Sequence, residues 1–124
     1  MAKQQKKYVS TIPLSMRGKK RYILFQVHSG KTPNAFTKSD VEKGLYHHFL
    51  HAYGTLGMPT LRYKFIAYNP QNGIGILRIA HTKKNRTIAA LLLMKEMHAK
   101  PVAIRTLQTS GSLKSLRPRF DSRL

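Results

Sequence analysis

Leu61-Arg-Tyr-Lys-Phe-Ile-Ala-Tyr-Asn-Pro-Gln-Asn-Gly-Ile-Gly-Ile-Leu-Arg-Ile-Ala80 is the stretch on which the fold turns. Its two ends are rich in β-branched and aromatic residues, and Asn69 to Gly73 concentrates turn formers. The reading is two strands, Leu61 to Tyr68 and Ile74 to Ala80, antiparallel because the connection is so short. On the first, Arg62 and Lys64 share one face while Tyr63, Phe65 and Ala67 share the other. On the second, Leu77 and Ile79 pack under the rest of the chain, which leaves Ile74, Ile76 and Arg78 on the opposite face.

Working outward, each strand is flanked by a helix. Ser39-Asp-Val-Glu42 reads as a capping box, followed by an apolar stripe of Val41, Leu45, Phe49, Ala52 and Leu56, with Gly54 and Gly57 as the stop. Downstream, Asn85 or Thr87 caps a helix running to about His98, with Ile88, Leu91, Leu92 and Lys95 along one side. Outside the helices lie two more strands, Tyr22 to Val27 and, after Pro101, Val102 to Leu107. A loop with Ser29-Gly30 and Pro33-Asn34 follows the first strand. The order βαββαβ is an α+β, ferredoxin-like (RRM-like) sandwich: a four-stranded antiparallel sheet with both helices on one face. Residues 19–112 form this domain, between a basic N-terminal extension, 1–18, and a basic C-terminal tail, 113–124.

A chain of 124 residues with 41% hydrophobic content supports one folded domain. Its 23 Lys and Arg against four Asp and Glu give a formal charge of +19, which favours a polyanionic partner. Asp40, Glu42, Glu96 and Asp121 are too few and too scattered for a carboxylate dyad or a carboxylate-rich Mg²⁺ cage. Without Cys there is no disulfide framework, thiolate zinc site or cysteine nucleophile. A self-sufficient acid–base or metal enzyme is therefore not expected, and no cofactor bound by the chain itself. The basic start, Met1 to Lys7, leads into no apolar h-region, and the longest apolar run, Ile88 to Met94, is far short of a membrane span. A cytoplasmic protein without membrane contact is the expectation. The two flanks, 1–21 and 113–124, hold 11 of the 23 cations and lack apolar periodicity, as tails that order on a partner do.

What covers the sheet's open face is the main functional question. An RNA-recognition motif sets aromatic rings on its third strand to stack bases. Here Asn72-Gly-Ile-Gly-Ile-Leu-Arg-Ile79 keeps a glycine rhythm but carries isoleucines where rings would stand. Aliphatic side chains stack bases poorly and bury well, so Ile74 and Ile76 are candidates for protein contact, unless the tails fold back over them. Ala89 to Met94 is apolar all round, wider than a one-sided stripe requires. His47 and His51 have metal-ligand spacing on the first helix but no third ligand nearby, so ordinary surface histidines are the better reading. Lys19-Lys20-Arg21 and Lys83-Lys84 with Arg86 are clusters of the kind that contact phosphates, and Ser110-Gly111-Ser112 is a turn that can bind phosphate through N–H groups.

These residues resemble a known family, ribonuclease P protein component 2, the small ferredoxin-like subunit of archaeal and eukaryotic ribonuclease P. The resemblance covers roughly residues 13 to 120. Pro13-Leu-Ser-Met-Arg17 leading into Lys19-Lys-Arg-Tyr-Ile23 is similar to the family's entry to its first strand. Gly54-Thr-Leu-Gly57 resembles the Gly-x-x-Gly that closes its first helix, and Gly73 to Ile79 its third strand. Arg105-Thr-Leu107 followed by Ser110-Gly-Ser-Leu-Lys114 resembles its strand-to-tail Ser-Gly-Thr-Ile-Lys element, with Gln108-Thr109 and Ser112 as departures. The loop from His28 to Lys38 shows no family pattern.

The resemblance implies a subunit that supports removal of the 5′ leader from precursor tRNA, with the catalytic centre and its Mg²⁺ in the ribonuclease P RNA. It also implies two protein partners, a TIM-barrel subunit and a second copy of this chain within a heterotetramer. On that footing Lys19, Lys20, Arg21, Arg105, Ser110, Lys114, Arg117 and Arg119 are the expected RNA contacts, and Ile74 and Ile76 the protein contacts. The rivals are a ribosomal or general RNA-binding protein with no processing role, and a small enzyme of the acylphosphatase type. The latter needs an Arg in the loop after the first strand, and His28 to Phe36 has none.

Overall fold

The computed structural model describes residues 19–30 and 36–121. The extension 1–18, the Pro13–Arg17 motif, Pro33-Asn34 and the last three residues of the tail lie outside the described residues. The chain runs β1 (Lys20–His28), α1 (Lys38–Leu61), β2 (Lys64–Asn69), β3 (Ile74–Ala80), a 3₁₀ turn (His81–Lys83) and α2 (Lys84–Leu93). A two-stranded ribbon, β4 (Glu96–Met97) with β5 (Lys100–Pro101), then β6 (Ala103–Ser110) and a short α3 (Arg117–Phe120) complete it. The main sheet has the order β2-β3-β1-β6 with every pair antiparallel, the expected ferredoxin-like arrangement.

Parity along β1 and β3 sorts the core into two layers. Ile23, Phe25, Val27, Leu77 and Ile79 pack with Val41, Leu45 and Phe49 of α1 and with Ala90 and Leu91 of α2. Leu24, Ile74 and Ile76 face the other way. The β2–β3 turn is held by its own polar side chains: Asn69 Oδ1 accepts from Gln71 N at 3.0 Å and Asn72 Oδ1 from Ile74 N at 2.9 Å. Gly73 sits at φ 71°, and a Cβ there would come within 2.7 Å of the Val27 carbonyl oxygen. Only glycine lets the turn lie this close to β1. Gly75 has a different reason, because a Cβ would stand 2.5 Å from Phe25 Cζ. The glycine rhythm of β3 thus serves the core.

Several boundaries differ from the sequence reading. The capping box is Thr37 with Asp40, two residues ahead of Ser39–Glu42: Thr37 N donates to Asp40 Oδ2 and Asp40 N to Thr37 Oγ1. Gly54 does not end α1. At φ 75° it breaks the axis, and helical structure resumes to Leu61. Ala52, ahead of the break, is already exposed; the break then resets the helical phase, so Leu56 is 91% exposed while Leu61 is buried. In β2 a bulge between Phe65 and Ala67 puts Ala67 opposite Ile76, and Ile66 joins the Ile76 side. The expected grouping of Ala67 with Phe65 is undone by that one inserted residue.

α2 has no side-chain cap. Thr87 is buried and its hydroxyl donates to the Lys83 carbonyl at 2.8 Å. The helix stops at Leu93, before the expected His98, because Met94 turns extended and the chain reverses through His98 and Ala99, both at positive φ. The reversal drives Met97 against Gly44, where a Cβ would meet Met97 Cγ at 2.7 Å. An all-round apolar helix carries no phase of its own, and its buried side is Thr87, Ala90 and Leu91 rather than Leu92.

Candidate nucleic-acid interface

Where β1 begins, β3 ends and α2 starts, the topology gathers the basic clusters. Lys20 is paired with Ala80, and the Lys19 carbonyl accepts from His81 N at 2.7 Å. Arg21 Nε donates to His81 Nδ1 at 3.2 Å. The 3₁₀ turn then carries Lys83 into Lys84 at the start of α2. β6 ends on the same side, with Ser110 opposite Tyr22, and Arg21 Nη1 lies 3.4 Å from the place a Cβ of Gly111 would take. Lys19, Lys20, Arg21, Lys83 and Lys84, expected from sequence as two clusters, are therefore one cationic end of the sheet. The four acids lie on α1, on β4 and after α3, so none belongs to these segments.

α1 holds that end in place. The His48 ring and the Ala90 carbonyl are hydrogen-bonded at 2.6 Å, and Tyr53 Oη reaches Thr87 Oγ1 at 3.4 Å. His48 thus bridges two helices, while His47 and His51 are exposed. Among the described residues no three His, Asp or Glu stand close enough to hold a metal ion.

The other expected RNA contacts are spread more widely. Ser110 and Ser115 share a hydroxyl–hydroxyl bond, Ser110 Oγ accepts from Ser112 N at 3.1 Å, and Ser115 Oγ donates to the Ser112 carbonyl at 3.0 Å. The Ser110 hydroxyl shapes the turn that leads to exposed Lys114. Arg105 lies toward the opposite end of the sheet, opposite Gln26, to whose Oε1 its Nη2 donates at 3.0 Å. Five residues along β1 separate Gln26 from Arg21, roughly 17 Å at the usual strand rise. Arg117 and Arg119 are exposed on α3, and Arg119 Nη1 donates to the Leu107 carbonyl at 3.3 Å.

The open face is not open. Leu113, Leu116 and Phe120 lie against Leu24, Ile74 and Ile76, leaving Ile74 7% and Ile76 1% exposed. The expectation that these isoleucines present a contact surface is corrected: the C-terminal segment, expected as a tail, buries them as part of the fold. Burial of aliphatic surface is the reason, since one turn of chain with three apolar side chains can remove it from water. Among the described residues the large aliphatics left exposed are on the helices, Leu56, Leu92 and Leu93, with a groove between α1 and α2 lined by Ala52, Tyr53, Arg86, Ala89, Ala90 and Leu93.

Two further cations escaped the sequence reading as site residues. Lys64 and Arg78 stand directly opposite each other, and Tyr22 is on the other side of Arg78. Arg78 Nε is shut off from solvent and has no hydrogen-bond partner among the described residues. Parity alone puts Arg78 on this face; the β2–β3 register, set by the bulge, is what brings Lys64 to it.

Comparison with known proteins identifies the family and the fold. Residues 21–120 match the Rpp14/Pop5 family. The chain is 33% identical over 112 residues to ribonuclease P protein component 2 of Pyrococcus abyssi, covering 90% of this chain and 92% of that protein. It is 29% identical to the ribonuclease P/MRP protein subunit POP5 of Schizosaccharomyces pombe, over 80% of this chain and 81% of that one. Among solved structures, a chain in the cryo-EM structure of yeast ribonuclease MRP has a similar fold, with a TM-score of 0.60 at 19% identity, over 77% of this chain and 76% of that one.

Proposed function

The chain belongs to the Rpp14/Pop5 family, and from that membership we propose that it works as a protein subunit of ribonuclease P, in the removal of the 5′ leader from precursor tRNA. The observation that carries the reading is the family match across residues 21–120, nearly the whole folded part. The physical picture supports it. A chain of +19 with one acid-free cationic end is built to neutralise phosphates, and its few scattered carboxylates offer no hydrolytic centre.

In this reading the RNA and its Mg²⁺ perform the cleavage, and the protein holds the RNA in its active fold by phosphate contacts. Lys19, Lys20 and Arg21 do so at the cationic end with Lys83 and Lys84. Lys114 extends that end, and Arg105, Arg117 and Arg119 contact RNA along the rest of the sheet's covered face. Ser110 acts by fixing the turn. The protein partners are a TIM-barrel subunit and a second copy of this chain in a heterotetramer. The exposed aliphatics of the helices are the surface that the folded chain offers them.

Reconstitution tests the reading. Ribonuclease P RNA, precursor tRNA and the TIM-barrel subunit are combined at limiting Mg²⁺, with and without this chain, and release of the 5′ leader is followed. Release that depends on the chain is expected. Salt-sensitive RNA binding without leader release would instead identify a general RNA-binding protein.

A further inference from the structure

Lys64, Arg78, Tyr22 and Ser110 form an unbroken row across β2, β3, β1 and β6, each opposite the next. Partners in register share a face, and Tyr22 fixes which one, because it packs against the cluster beneath the C-terminal segment. This row holds two features that cost the isolated chain stability. Arg78 Nε has left water and finds no acceptor among the described residues, an expensive condition for a donor on a charged group. Beside it, Lys64 and Arg78 are like charges directly opposite on neighbouring strands, which repel. Among the described residues no ion pair joins either of them to an acid.

An anion seated on the row relieves both at once. It supplies the missing acceptor, and its charge turns the repelling pair into a clamp, with the planar guanidinium suited to two phosphate oxygens. The surroundings favour a polymer of phosphates over a lone carboxylate. Lys20 follows the same parity as Tyr22 along β1, and the cationic end lies immediately beyond. We propose that Arg78 and Lys64 clamp the phosphodiester backbone of RNA where it crosses this end of the sheet, with Tyr22 alongside. The inference rests on the reading that the chain binds RNA, and adds two cations that the basic clusters do not include.

The test uses the full chain and two labelled probes, an oligouridine single strand and an RNA hairpin duplex, titrated by fluorescence anisotropy over a range of KCl. Arg78→Met keeps the aliphatic stem and removes the charge. It is expected to weaken binding about fivefold or more, and to shrink the slope of log affinity against log salt by about 0.7 to 0.9 for each phosphate no longer neutralised. Its thermal midpoint should stay level or rise, since the group removed had no partner. Arg78→Lys should recover part of the affinity, and Lys64→Met should repeat the weakening in smaller measure. A weakening confined to the single strand, or shared by the duplex, supports the clamp and says which form of RNA it takes. Unchanged affinity and salt slope in Arg78→Met overturn it, as does a fall in affinity that only follows a fall in thermal midpoint. Wild-type chain that binds neither probe would overturn the RNA reading itself, whereas normal wild-type binding with an inert Arg78→Met overturns only this inference.

Discussion

Leu116, from the C-terminal segment, and Ile76, from the middle of β3, are buried in one cluster, each with almost no surface left in water. Neither is buried without the other's element, because the C-terminal segment joins no other part of the core and, among the described residues, no other helix covers this side of the sheet. Leu116→Ala should therefore destabilise the chain by about 2–5 kcal/mol, as a core cavity does. Removal of everything after Ser112 should expose the patch and drive self-association, read by light scattering after size exclusion. A truncated chain that stays monomeric and equally stable would show that the segment is not part of the fold.

Gly75→Ala should cost about 1–3 kcal/mol in denaturant unfolding, the usual effect of overpacking. The cause is one ring, since the new methyl would meet Phe25 Cζ at 2.5 Å. In a double-mutant cycle, Phe25→Leu should recover part of that stability. Simple additivity of the two substitutions would locate the strain elsewhere.

Thr37→Ala should cost about 1 kcal/mol by removing the cap of α1. The hydrogen bond from the Thr37 backbone N–H holds the Asp40 carboxyl below its ordinary value of 3.8, with help from the Thr37 hydroxyl, His98 and Lys100. A carboxyl depressed in the folded state contributes stability in full above 3.8, and loses it as the pH falls through the folded value. Asp40→Asn should therefore be less stable than wild type at neutral pH, and the gap should close on acidification below 3.8. A gap that is constant with pH would contradict the assignment.

Tyr63→Phe should leave the chain as stable or make it more so, by up to about 1 kcal/mol. Its hydroxyl is buried without a partner among the described residues, and burial, with Glu42 nearby, raises the phenol's pKa. The ring packs edge-on against Phe49, 5.0 Å between centroids, and phenylalanine keeps that packing. A clear drop in stability in urea would mean that the hydroxyl has a partner in solution.

Leu56→Ser should change the stability of the isolated chain by no more than about 0.5 kcal/mol. Leu56 looks like the last core position of the α1 stripe, yet it points to solvent because Gly54 breaks the helix two residues earlier. Phe49→Ala, one turn before the break, should cost about 3–5 kcal/mol. Equal effects at the two positions, in parallel thermal melts, would mean that the helix runs straight.

The four main strands, both long helices and their βαββαβ order were legible because each is a local pattern. Alternation in Ile74 to Ala80 and the turn residues Asn69 to Gly73 act within a few residues of themselves. The sidedness of β3 was legible for the same reason: Leu77 and Ile79 against Ile74 and Ile76 follow from the period of the strand. So were the basic clusters, which need only a count of charges.

What the local patterns left undecided depended on packing between distant segments. The Phe65–Ala67 bulge changed sides for half of β2 and made Lys64 the neighbour of Arg78. The kink at Gly54 unseated Leu56, and the all-round apolar α2 took its phase from α1 through His48 and Tyr53. Leu113, Leu116 and Phe120 are each ordinary residues in a basic tail; their meaning comes from an aliphatic patch some forty residues away, which must leave water. Composition and periodicity determined what this chain is made to meet, a polyanion, and on what frame. The tertiary structure alone decided which cations stand together, because register and long-range burial are properties of pairs of segments and are written in neither one.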